Sequence, residues 1–123
     1  GSARGLRTIL ERLREGRAIM MFPEGTRSPD GTQQPARPGI GLMIAKSDAP
    51  VIPVRVFGTY EAYGRHHVIP RPRRVQIMFG KALKFKELRA EASECNPERR
   101  REVYDEISAE LMATIALLES KTD

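Results

Sequence analysis

The chain has 123 residues, a length that fits one compact domain with a single core. Hydrophobic residues make up 40% and charged residues 30%, which excludes a disordered tail, and no apolar run approaches the roughly 20 residues that span a bilayer. The formal net charge is +5, and the lone cysteine, Cys95, excludes an internal disulfide and a cysteine-based metal cluster.

No signal-peptide pattern opens the chain. Gly1-Ser2 reads as a remnant of tag removal (1–2), which leaves 3–123 as a single α/β domain. Leu6, Ile9, Leu10 and Leu13 recur at the spacing of one helix face, and Gly16 stands where a glycine would stop that helix. Ala18 to Phe22 is a short apolar run bounded by Gly16 and Pro23, the pattern of a strand buried on both faces. Pro23 to Pro38 carries four prolines and two glycines, and a loop of that length is usually functional.

A helix is expected from about Gly39 to Ser47, and a second apolar strand from Val51 to Phe57, although Pro53 conflicts with an interior strand. Arg74 to Phe79 alternates as a strand with Val75, Ile77 and Phe79 on one face. Asn96 as cap, Pro97 at the first position and the stripe Val103, Ile107, Leu111, Ile115, Leu118 predict a long closing helix. This order argues for an α/β fold with a mostly parallel sheet flanked by helices.

Charge is unevenly spread. From Arg65 to Lys86 there are seven Lys and Arg and no acid, a stripe that suits phosphate, anionic headgroups or nucleic acid, and equally a solvated surface. His66 and His67 are adjacent, a geometry that seldom converges on one ion, and they read as loop residues with no metal assigned.

The segment richest in chemistry is Phe22-Pro23-Glu24-Gly25-Thr26-Arg27-Ser28, at the carboxyl end of the first expected strand, where open α/β sheets bind ligands. Arg27 offers a planar fork for phosphate oxygens, and Thr26 and Ser28 add hydroxyls. Glu24 can hold Arg27 or accept a bond from a substrate hydroxyl. Composition alone favours an ordinary surface turn with a Glu–Arg pair.

The seven residues, however, resemble the signature of the glycerol-phosphate and lysophosphatidic acid acyltransferases. Arg37-Pro38-Gly39 stands where that family often has Lys-x-Gly, and Val51-Ile52-Pro53-Val54 is similar to its later proline-containing strand. The resemblance covers about Leu6 to Leu83 and implies a glycerol-3-phosphate acyltransferase-like fold, incomplete at its N-terminus. It implies acyl transfer from acyl-CoA or an acyl-carrier protein, as co-substrate and with no cofactor, to a lysophospholipid or glycerol 3-phosphate. It assigns Glu24, Gly25, Thr26, Arg27, Ser28 and Arg37 to the acceptor, with Arg27 on its phosphate.

In that family a His five residues before an Asp acts as general base, and the Asp orients it. Here five residues beyond His66 and His67 stand Arg71 and Pro72, and both histidines lie downstream of the signature. No catalytic residue is therefore assigned, and the chain alone is expected to be inactive. The resemblance places the parent enzyme at the cytoplasmic face of a membrane, with the basic stripe toward anionic headgroups and this portion soluble and self-associating through an uncovered apolar face. The alternative is a non-catalytic phospholipid- or anion-binding module; a nucleic-acid partner, suggested by charge alone, is not expected.

Overall fold

The computed structural model describes residues 2–25, 33, 35–58 and 75–119. The elements are α1 (Ser2–Arg14), α2 (Ile40–Ala45), β1 (Val54–Phe57), β2 (Gln76–Phe79), α3 (Lys86–Glu94) and α4 (Pro97–Leu117).

Helix α1 follows the expected amphipathic spacing, and Leu10 on its apolar stripe is buried. Its end is fixed by backbone geometry. Gly16 is left-handed at φ 86, its N–H donates to the Leu13 carbonyl at 3.1 Å, and the Arg17 N–H reaches the Arg12 carbonyl at 3.1 Å. That pair of bonds is a Schellman stop, which a glycine adopts without steric cost.

The core is helical. Helices α2 and α3 pack against α4, bringing together Ile40 and Ile44, Phe85 and Ala92, and Val103, Ile107 and Leu111. Burying an aliphatic side chain of this size stabilises by about 1.5–3 kcal/mol. The Asn96 side chain accepts from the Arg99 N–H at 2.8 Å, and Pro97 occupies the first turn, as the sequence predicts. The α2–α4 crossing is unusually close: a Cβ at Gly41 would stand 2.0 Å from the Tyr104 carbonyl oxygen. Only a residue without a side chain fits there.

Helix α3 was not expected from the sequence. No side chain caps it, and its N-cap, Phe85, is left-handed at φ 49. That conformation costs an aromatic residue about 1 kcal/mol, offset here by placing the ring in the core. Arg89 then ties three segments together. Its guanidinium donates to the carbonyls of Ile44 (2.9 Å), Lys84 (2.8 Å) and Ala49 (2.7 Å).

The sheet departs from expectation. Among the described residues it is two-stranded and antiparallel, with Val54 opposite Phe79 and Val56 opposite Ile77, rather than mostly parallel. Pro53 lies before β1, so it removes no ladder donor, and its carbonyl accepts from Gly80 at 2.8 Å. The run Ala18–Phe22 joins no ladder among the described residues and is exposed, Met20 at 80% and Phe22 at 75%. The expected buried strand needs hydrogen-bonded neighbours on both sides, and the β1–β2 pair does not extend to it.

Candidate functional site

The turn that opens the signature is built by two backbone bonds. The Gly25 N–H donates to the Phe22 carbonyl at 2.9 Å, closing Phe22–Gly25, and the Arg37 N–H donates to the Pro23 carbonyl at 2.6 Å. Gly25 has φ 72, a left-handed value that its missing Cβ permits. The absent side chain also makes room. A Cβ at Gly25 would meet Arg37 Cγ at 2.7 Å, Cδ at 2.9 Å and Nε at 3.1 Å. The Arg37 stem therefore lies across Gly25, twelve positions away in sequence.

Three anchors hold this loop to the helical core. Ala36 packs on the core cluster beside Arg37. Gly39, left-handed at φ 99, turns the chain into α2, and Ile40 is buried one residue later. The Gln33 amide donates to the Met112 carbonyl of α4 at 3.0 Å. Consequently Arg37 is carried by backbone whose neighbours are fixed, while its own side chain is exposed. Such a guanidinium presents several N–H donors in one plane to an incoming anion.

Of the six residues singled out by sequence, Glu24, Gly25 and Arg37 are described and come together at this turn. Glu24 is half-buried and engaged rather than free. Thr26, Arg27 and Ser28 lie outside the described residues, as do His66 and His67. Sequence reasoning missed the Gly25–Arg37 contact and the Gln33 anchor. No periodicity or local spacing carries a signal for either, because both depend on how the loop folds back. Among the described residues no three His, Cys, Asp or Glu gather as a metal-binding group.

The strongly paired charges lie away from the turn. Arg99 of α4 binds Glu91 of α3 in a bidentate pair and also reaches Glu102 at 3.2 Å and Glu106 at 3.1 Å. The hydrogen bond from Arg99 holds the Glu91 carboxyl below the ordinary carboxylate value, and the three carboxylates raise the guanidinium in return. Burial pushes the Arg89 guanidinium down from its ordinary value, opposed by the nearby Asp48. Both arrangements join elements of the core.

Comparison with known proteins points one way. Residues 2–57 match the family model described as Acyltransferase. The chain is 39% identical over 54 residues to the chloroplastic 1-acyl-sn-glycerol-3-phosphate acyltransferase BAT2 of Brassica napus, a match covering 44% of this chain and 16% of that protein. It is 37% identical over 54 residues to the chloroplastic 1-acyl-sn-glycerol-3-phosphate acyltransferase LPAT1 of Arabidopsis thaliana, covering 44% of this chain and 15% of that one. The crystal structure of PlsC, the 1-acyl-sn-glycerophosphate acyltransferase of Thermotoga maritima, superposes with a TM-score of 0.64 at 26% identity, over 94% of this chain and 47% of PlsC. The chain thus spans about half of that solved structure and a much smaller share of the curated relatives it matches.

Proposed function

The chain belongs to the glycerophospholipid acyltransferase family, and on that footing we propose that it supplies the acceptor-binding side of an enzyme that acylates a lysophospholipid or glycerol 3-phosphate. The acyl donor is a thioester, acyl-CoA or acyl-carrier protein. Lysophosphatidic acid is the favoured acceptor, since the matched relatives carry 1-acyl-sn-glycerol-3-phosphate in their names.

The observation that carries this reading is the close approach of Arg37 to Gly25. It sets a guanidinium beside the turn that opens Glu24-Gly25-Thr26-Arg27-Ser28. In the proposed role Arg37 and Arg27 hold the acceptor phosphate, a charge-assisted pairing stronger than a neutral hydrogen bond. Thr26 and Ser28 add hydroxyl contacts, and Glu24 orients the cluster. Gly25 lets backbone and guanidinium approach closely. Holding the phosphate orients the acceptor hydroxyl for attack on the thioester carbonyl, and positioning of that kind lowers the barrier without chemistry from the binding residues.

A general base must still take the hydroxyl proton. His66 and His67 lack an Asp at the family's spacing, so this chain binds acceptor without turning over thioester. The test is calorimetric titration with glycerol 3-phosphate and with lysophosphatidic acid, alongside an assay of thioester cleavage. Binding of both, lost in Arg37→Met, with no thiol release, is the expected result. Thiol release by the purified chain would refute the inactivity. Absence of acceptor binding would refute the site. Phosphate binding without acyl transfer in the longest natural form of the protein would make it a non-catalytic anion-binding module.

A further inference from the structure

The loop that carries the candidate turn is closed at its base by backbone and tied farther along by one side chain. At the base, the Gly25 N–H meets the Phe22 carbonyl and the Arg37 N–H meets the Pro23 carbonyl. Gln33 stands four residues before Arg37. Its amide donates to the Met112 carbonyl at 3.0 Å, across 79 positions of sequence. Closing a loop costs entropy that grows with its length, so a tie partway along replaces one long closure by shorter ones.

The acceptor of that bond sits on a firm part of α4. Leu111, the residue before Met112, is buried in the helical core, and Ile115 packs against the same cluster. A carbonyl oxygen has two lone pairs, so Met112 can serve its own helix and still accept from Gln33. One turn later, Arg55 of β1 donates to the Ala116 carbonyl at 2.6 Å and to the Leu118 carbonyl at 3.0 Å. The last carbonyls of a helix lack helical partners, and Arg55 supplies one here, which keeps α4 wound through the turn that Gln33 uses. The family model ends at residue 57, so this platform lies outside the matched segment.

We infer that Gln33 is a positioning residue of the acceptor site: its bond to Met112 holds the approach to Arg37 against α4 and so sets the Arg37 guanidinium beside Gly25. It acts through Arg37 and touches no substrate. The effect on acceptor affinity rests on the proposed function, whereas the placement of Arg37 rests on geometry alone. Gln33 is itself exposed, and substitution at such a position ordinarily moves overall stability little.

The test is Gln33→Met, which keeps the length of the stem and removes the donor. Without ligand, the Gly25 amide and Arg37 Nε–H resonances of the 15N-labelled chain should shift while the melting temperature stays nearly constant. The Kd for glycerol 3-phosphate should rise about fivefold, the worth of one neutral hydrogen bond spent on placement. In a Gly25→Ala background, where the guanidinium is already displaced from the turn, the same substitution should add less than about twofold, because the two changes act through one side chain. Unshifted resonances overturn the inference. So does a fivefold loss repeated in full in the Gly25→Ala background, or a lowered melting temperature with affinity unchanged, which would make the bond purely structural. Failure of the unsubstituted chain to bind glycerol 3-phosphate overturns the proposed function instead, and the resonances still decide whether Gln33 places Arg37.

Discussion

Gly25 does two jobs that no other residue can do at once. Its φ of 72 costs any L side chain about 1 kcal/mol, and a Cβ would press on the Arg37 stem at 2.7 Å. The stem is flexible, so Gly25→Ala should fold, losing about 1 kcal/mol of stability while pushing the guanidinium off the turn. Glycerol 3-phosphate binding should then fall by roughly tenfold, the worth of one charge-assisted contact, and calorimetry on the folded variant checks it. Unchanged affinity would mean that Arg37 does not contact the phosphate. The glycine within the signature is visible in the sequence; the arginine that leans on it is not.

At the scale of elements, two helical glycines predict opposite signs. Gly5 in α1 has nothing within 4 Å of a built Cβ, so Gly5→Ala should stabilise by about 1 kcal/mol through helix propensity. Gly41 in α2 faces the Tyr104 backbone, which cannot step aside, so Gly41→Ala should cost about 3 kcal/mol. Thermal melts of the two variants decide both.

The α3–α4 junction predicts a pH dependence. Arg99 holds Glu91 below its ordinary 4.5, so the stabilisation is fully present above that value and is lost as pH falls through the lowered one. Melting temperatures across the carboxylate range should show an acid limb that Glu91→Gln flattens. An unaltered limb would assign acid sensitivity to other carboxylates. Helices α1 and α4 were legible because periodicity and end signals agree: the glycine stop at Gly16 and the Asn96-Pro97 start. Helix α3 was not, because its start is an uncapped, left-handed Phe85 that only core packing stabilises.

For the whole molecule, Arg89 joins α2, the 46–50 connection and the entry to α3 through three carbonyls from separate segments. Arg89→Met keeps the stem and removes the donors, and should cost about 2 kcal/mol in denaturant unfolding. A smaller loss would show that water replaces the guanidinium at these carbonyls. Sequence alone carries the acyltransferase resemblance, through seven contiguous residues, and reveals α1, α2 and α4, because their hydrogen bonds and end signals are local. It also determined which residues are apolar at strand spacing. Tertiary packing sets the exposure of Ala18–Phe22, the antiparallel pairing of the ribbon and the path of Arg37 across Gly25. Those outcomes depend on which distant segment supplies the neighbouring backbone, and alternation along a strand specifies a face without specifying what covers it.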